Sequence, residues 1–388
     1  MVAWKTRKAL RKKKESYCSA RRCSQMFKIK SGIFNVVLGS YNLPLFPRGH
    51  VVKYFGYFIA GILALLLMGV VAFWVGAQVS LDRSYAHSKR TAQLPFFDSG
   101  SKEGLVQIRT DRGDFRARAA GFEGQEKRPL VVLLHGFPVT SAMWLDLIPV
   151  LAEAGYRVVA FDQRGYSPQT RPETIDQYVV SELVNDVFAV ADAVGGERFH
   201  LVGHDWGAGV GWGVVLAQPD RVLSWTPLSI AHPAAFGAAL QNDPDQQSRS
   251  SYFTLFVTPG VPETLFTFNN LWLLKSAYGE MRAEKVDEYV SVFSEPGALT
   301  AGLNWYRASF GGDSSGTEVQ ENDVKVPTLF IWGNQDEAVG RLGTELMSEY
   351  MKGPYSIIEL NAGHWLLSET PEQVITPIVS HIRANSDS

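Results

Sequence analysis

The sequence predicts an α/β fold: a mostly parallel sheet with helices on both faces, carrying a helical insertion and preceded by one helix of membrane length. Three observations predict it. Short continuous apolar runs alternate with helix-like segments through most of the chain, as strands buried on both faces alternate with their crossover helices. Between residues 231 and 322 that alternation stops, and aromatics at helical spacing with Gly and Pro breaks replace it. Ahead of both, residues 54–75 run for 22 positions without a charge, long enough to cross a bilayer.

Residues 1–53 form a basic tail with 13 Lys and Arg against the single acid Glu15, a net +12 in a chain of −2, so the remainder carries −14. So acidic a remainder gives nucleic acid nothing to bind. The tail reads as a solvated topogenic segment rather than an RNA- or lipid-binding arm. Residues 54–77 are the expected transmembrane helix, with Tyr54, Tyr57 and Trp74 near its ends as interfacial aromatics. Membrane lipid is the expected partner of residues 54–75. The tail's positive charge predicts a cytoplasmic N-terminus and places everything after residue 77 on the far side. Val75-Gly76-Ala77 also resembles a small-residue cleavage site, so a cleaved signal and secretion or a periplasmic location is the alternative. Met26 offers a second translation start. The only cysteines, Cys18 and Cys23, sit in the tail without a zinc-type spacing, so no metal and no cofactor are expected.

A polar tether, residues 78–104, leads into the first part of the core, residues 105–230. Residues 105–109 and 115–118 predict a hairpin. Residues 130–134 are a wholly apolar strand, a helix over 142–154 follows, and 157–161 repeat the strand. An amphipathic helix over 176–194 precedes the strand at 198–202. After the helical insertion, residues 231–322, a second core part over 323–388 holds strands at 326–332 and 355–360. The insertion is expected to lie over the carboxyl edge of the sheet, where such folds bind ligands.

The chemistry centres on Gly203-His204-Asp205-Trp206-Gly207, between an apolar strand and a small-residue helix. Strand, glycine-flanked turn and helix form a nucleophile elbow, and here the apex is a carboxylate. Asp205 is ionised at neutral pH and needs no base to activate it. It suits displacement at saturated carbon, which points to epoxide opening or carbon–halogen cleavage through an ester on Asp205. Such an ester needs a base to activate water, an acid to orient the base, and an oxyanion hole. His364, just past the last strand, is the base; Asp336 is the orienting acid, with Glu337 its nearest competitor. The chain order nucleophile, acid, base accords with an elbow enzyme. His135-Gly136-Phe137-Pro138 ends the first buried strand, so the backbone N–H groups of Phe137 and Trp206 would form the oxyanion hole.

These motifs, with Asp162-Gln163-Arg164-Gly165-Tyr166-Ser167, resemble those of the α/β-hydrolase-fold epoxide hydrolases over residues 105–385. The resemblance implies the α/β-hydrolase fold with a helical lid, a small apolar epoxide and water as reactants, and a vicinal diol as product. It also implies two lid tyrosines that hold the epoxide oxygen and donate a proton. The matching positions are Tyr306, in Leu303-Asn304-Trp305-Tyr306-Arg307, and Tyr252, in the looser match Ser251-Tyr252-Phe253-Thr254. Phe137, Trp206 and Trp305 are the expected substrate-binding residues, and Asp162 and Arg164 hold the loop after the second buried strand. Many lid aromatics, among them Phe253, Phe256, Phe266, Phe268, Trp272 and Phe310, imply an apolar pocket.

Two other functions fit parts of the pattern. Haloalkane and haloacid dehalogenases share the aspartate elbow and a Trp206-like indole that binds halide. A membrane-tethered binding protein with a dead site would also keep the fold. A serine esterase is excluded by the aspartate at 205.

Overall fold

A computed structural model describes residues 48–79, 87–97, 102–124, 127–311 and 323–386, with the backbone alone at 48–55 and 77–79. Outside the described residues lie most of the expected tail with Cys18, Cys23 and Met26, residues 80–86 and 98–101 of the tether, and 312–322 at the end of the insertion. The chain divides into two units, Met1–Val70 and Val71–Ser388. In the first, the described structure is the start of helix α1 (Arg48–Val79). Within α1, Gly56–Gly76 is long and apolar enough to cross a membrane and has none of its residues buried, so burial in a protein core does not explain its composition.

The second unit is built on one sheet of eight strands: β1 (Gly104–Thr110), β2 (Gly113–Ala120), β3 (Leu130–Leu134), β4 (Arg157–Phe161), β5 (Phe199–His204), β6 (Val222–Leu228), β7 (Thr328–Gly333) and β8 (Tyr355–Leu360). Their spatial order is β1-β2-β4-β3-β5-β6-β7-β8. The hairpin β1–β2 is antiparallel and joins β4 antiparallel; β4, β3, β5, β6, β7 and β8 pair in parallel. Every residue of β3, β4, β5 and β7 is buried, because helices cover both faces of a parallel sheet. The edge strand β8 is half exposed. Apolar runs alone do not single out β6, whose sequence mixes Ser224, Thr226 and Pro227 with apolar residues.

Helices α2 (His87–Thr91), α3 (Leu147–Glu153), α4 (Val180–Ala193) and α5 (Trp206–Ala217) belong to the first part of the unit. The helix expected over 142–154 is two pieces, a 3-10 turn at Ser141–Trp144 and then α3. Likewise 176–194 begins as a 3-10 turn at Ile175–Tyr178, and extended backbone at Val179 separates it from α4. Between β6 and β7 the described residues form six helices: α6 (Pro233–Asn242), α7 (Pro244–Arg249), α8 (Phe253–Val257), α9 (Val261–Ser276), α10 (Ala283–Phe293) and α11 (Ala298–Phe310). Helices α12 (Arg341–Leu346), α13 (Leu366–Glu369) and α14 (Pro371–Ala384) complete the unit.

Polar contacts fasten the inserted helices to the core. Glu288 of α10 pairs with Arg116 and Arg118 of β2 and accepts from Thr140 at 2.8 Å. Arg116 also reaches Asp162 at 2.7 Å, with both side chains buried. Burial alone would raise both carboxyls. The neighbouring guanidinium groups win, holding Asp162 well below the usual carboxylate range and Glu288 down to about 2. Asp162 accepts from the Ser141 N–H, and Arg164 forms a two-pronged pair with Asp186. Both residues therefore tie down the loop after β4.

Candidate active site

Asp205 sits between β5 and α5 with φ 53° and ψ −123°, a backbone conformation that costs a non-glycine residue about 1–3 kcal/mol. Glycines make the turn sterically possible. A Cβ on Gly207 would lie 2.1 Å from the Leu134 carbonyl, and one on Gly136 would lie 2.3 Å from Asp205 Oδ1. The loop after β3 therefore approaches the carboxylate closely enough for Phe137 N–H to donate to Oδ1 at 2.8 Å. The Trp206 N–H also favours the charged form of this carboxylate. Both N–H groups expected to form an oxyanion hole thus converge on Asp205.

His364 lies in the loop between β8 and α13, with Nδ1 2.9 Å from Asp336 Oδ2 and Nε2 3.7 Å from Asp205 Oδ2. Asp336, wholly buried, follows β7, and its Oδ1 accepts from the N–H groups of Ala338 and Val339. Glu337 is exposed, and Asp336 is the acid that meets the imidazole. Burial opposes charge on His364, but Asp336 and then Asp205 outweigh it and raise its pKa to about 9. Burial would also raise Asp336, yet His364 and the two backbone donors bring it below the usual value. For Asp205 burial dominates and raises the carboxyl, while the imidazolium and the two N–H groups pull it back. His364 thus lies between two carboxylates, and its charge opposes the effect of burial on Asp205.

His204, the residue before the nucleophile, was assigned no role from the sequence. Its Nε2–H donates to the His364 carbonyl at 2.9 Å, and burial drives its pKa down to about 3. A neutral imidazole thus pins the backbone of the base. No sequence pattern signals this, because the two residues are 160 positions apart.

Two cavities, of about 410 and 430 Å³, meet at Asp205, Tyr252, Tyr306 and Ala338. The first is walled by Trp206, Leu216, Phe236, Leu240, Phe253 and Phe310 among others, and Asp205 is the one charged residue in its described wall. The second is lined by Phe137, Phe256, Phe266 and Leu274, with Arg249, Glu337 and His364. Gly209 and Gly213, four apart on one face of α5, line the first cavity. Their spacing was the available signal for a wall the lid aromatics did not predict.

The rings of Tyr252 and Tyr306 meet edge-on at 6.1 Å, and the Trp206 ring meets Tyr306 edge-on at 5.1 Å. Burial raises both phenols far above their ordinary value, Asp205 adding to this, so both stay protonated at neutral pH. Trp305 differs from expectation. Its indole N–H donates to the Arg164 carbonyl at 3.0 Å and its ring meets Trp206 edge-on, so it lies behind the wall and lines neither cavity. The indole is drawn there because a buried N–H needs an acceptor. Phe268 and Trp272 are also absent from both walls and face outward, 40% and 60% exposed.

Residues 129–371 match the family model of the alpha/beta hydrolase fold. The chain is 34% identical over 266 residues to the AB hydrolase superfamily protein YfhM of Bacillus subtilis, covering 67% of this chain and 92% of that protein. It is 32% identical to epoxide hydrolase A of Mycobacterium tuberculosis, again over 67% and 92% of the two chains. Among solved structures, an inhibitor complex of Bacillus megaterium epoxide hydrolase superposes with a TM-score of 0.63 at 26% identity, covering 71% of this chain and 99% of that one. The chain belongs to the α/β-hydrolase-fold epoxide hydrolase family.

Proposed function

We infer that the protein is an epoxide hydrolase that converts a small apolar epoxide and water into a vicinal diol. The observation that carries this reading is the carboxylate of Asp205 at the junction of two largely apolar cavities, both of which Tyr252 and Tyr306 also line.

In the first step Asp205 attacks a ring carbon, the carbon–oxygen bond breaks, and an alkyl ester forms. The departing oxygen takes a proton from the tyrosine pair, which is replenished from the His364 imidazolium. Esterification removes the negative charge of Asp205, one of the three carboxylates that hold the proton on His364, so the imidazole becomes a competent base when a base is required. It then takes a proton from water, and the hydroxide adds to the Asp205 carbonyl carbon. The Phe137 and Trp206 N–H groups hold the oxyanion, each worth about 3 kcal/mol. Collapse releases the diol, restores the carboxylate and leaves the proton on His364. Protons balance over the cycle.

Tyr252 and Tyr306, both in the cavity walls beside Asp205, supply the proton donors that ring opening needs, which favours the epoxide over the haloalkane. The test is diol formation from a panel of aryl and long-chain epoxides by wild type and Asp205→Ala, with halide release from matched haloalkanes measured alongside. Diol that depends on Asp205 supports the proposal. Halide without diol moves the assignment to a dehalogenase, and neither product from folded protein favours a binding role.

We further propose that residues 54–77 anchor the enzyme as a single-pass membrane protein with a cytoplasmic N-terminal tail, 1–53, and a tether, 78–104. The catalytic part lies on the far side as core 105–230, lid 231–322 and core 323–388. The length, apolarity and exposure of Gly56–Gly76 support this. Recovery of full-length chain in washed membranes is the expected result; a shortened soluble form would show the cleaved-signal alternative.

A further inference from the structure

Helix α9 is interrupted in its middle. Phe268 to Leu271 leave helical geometry, and Asn269, Asn270 and Leu271 all take left-handed backbone, with φ of 49°, 53° and 61°. Asparagine tolerates that region; leucine does not adopt it readily. The irregular turn sends Leu271 into the core, fully buried, and throws Phe268, Trp272 and Leu273 outward at 40%, 60% and 38% exposure. Three large apolar side chains within six residues form a patch, unlike scattered single exposures such as Val150, Ile175 and Ile357. On the inner side of the same turn, Phe266 and Leu274 line the catalytic cavity.

Two observations say what covers this patch. Within the unit Val71–Ser388, the ring of Phe73 stacks on Phe268 at a centroid separation of 4.5 Å, and Phe73 belongs to the apolar stretch Gly56–Gly76. The chain beyond that stretch is then fastened to the lid. Ser88 donates to Glu295, and Ser291 of α10 meets His87 Nδ1 at 3.2 Å. Ten residues separate Gly76 from His87, a reach of about 40 Å when fully extended. The lid side of the catalytic unit is thereby held near the end of the span.

We propose that the outward turn carrying Phe268, Trp272 and Leu273 is a lipid-contact surface, seated in the interfacial layer of the bilayer. This rests on reading residues 54–77 as a membrane anchor. Aromatic side chains, tryptophan above all, suit that layer because one edge is apolar and the other tolerates water. The arrangement sets the cavity wall one helix away from the acyl chains. An apolar epoxide dissolved in the membrane then reaches Asp205 without crossing bulk water.

The test uses the full chain with Cys18 and Cys23 changed to Ser and a single cysteine introduced by Trp272→Cys or, as control, Ile357→Cys on the exposed edge strand. Each is labelled with an environment-sensitive fluorophore and reconstituted into phosphatidylcholine vesicles that carry a spin-labelled lipid. The expected result is flotation of both proteins, with emission at 272 shifted to the blue and quenched several-fold more by the lipid than emission at 357. Water-like emission at 272 in floating protein overturns the contact while leaving the anchor intact. A blue shift without lipid quenching overturns it too, since protein would then be the cover. Failure to float overturns the anchor, and the proposal with it. In a second arm, Phe268→Ser/Trp272→Ser/Leu273→Ser is expected to lose about tenfold in turnover of a vesicle-dissolved epoxide while keeping its rate on a water-soluble one. Equal retention of both rates overturns delivery through the membrane.

Discussion

Nε2 of His364 stands 3.7 Å from Oδ2 of Asp205, too far for a hydrogen bond and close enough for the imidazolium to oppose the effect of burial on the nucleophile. The gap matters for the second half-reaction, because a water between an alkylated Asp205 and the imidazole would have both its electrophile and its base at hand.

His364→Gln is therefore expected to stop after the first step. Turnover should fall by about 10³-fold or more, and intact-protein mass spectrometry should find an adduct equal in mass to the substrate. An inactive variant without an adduct would contradict the two-step scheme.

The raised His364 pKa sets a pH limit with a definite sign. Below about pH 9 the free enzyme carries the imidazolium that supplies the proton for ring opening. As pH rises through that value the proton for ring opening is lost while Asp205 stays ionised, so kcat/KM should decline on the alkaline side. Asp336→Asn removes the largest favourable charge next to the imidazole and should move that limb to lower pH. A pH–rate profile of both enzymes checks the direction of the shift.

Tyr306→Phe and Tyr252→Phe each remove one of the two tyrosine hydroxyls of the cavity walls beside Asp205. Each should slow alkylation by about 10–100-fold, and the double variant should lose more than either alone, within the 10²–10⁴ typical of positioned acids. Single-turnover measurement of ester formation separates this from hydrolysis. Trp305→Phe tests a structural role instead: it strips the donor from the Arg164 carbonyl, so stability should fall by about 1 kcal/mol with little change in KM.

Arg116→Met leaves Asp162 and Glu288 without their shared guanidinium. Removing one partner of a buried ionic cluster costs about 3–5 kcal/mol, so thermal unfolding of the purified protein should shift down by several degrees. Arg341→Met, at an exposed pair with Glu359, should leave it nearly unchanged.

Legibility differed by kind of residue. The buried strands β3 and β4 were readable to their end residues because a strand covered on both faces is a nearly continuous apolar run, whereas β6, with Ser224, Thr226 and Pro227, needed its neighbours to identify it. Asp205, Asp336 and His364 were readable because each follows a strand whose end the apolar pattern marks. The short-range breaks at Val179 and within α9 were not, since their backbone is decided by what the side chains reach in three dimensions.

By itself the sequence determined the α/β architecture, the carboxylate at the elbow and an apolar stretch long enough to cross a bilayer, all of which depend on residue type and local spacing. Tertiary structure alone decided which aromatics wall the cavities and which turn away: Phe253 and Phe256 inward, Trp305 behind Trp206, Trp272 outward. It also decided that His204 steadies the base. The reason is physical. Composition records that a side chain is apolar or ionisable, but its direction and its charge state follow from groups that lie far away along the chain.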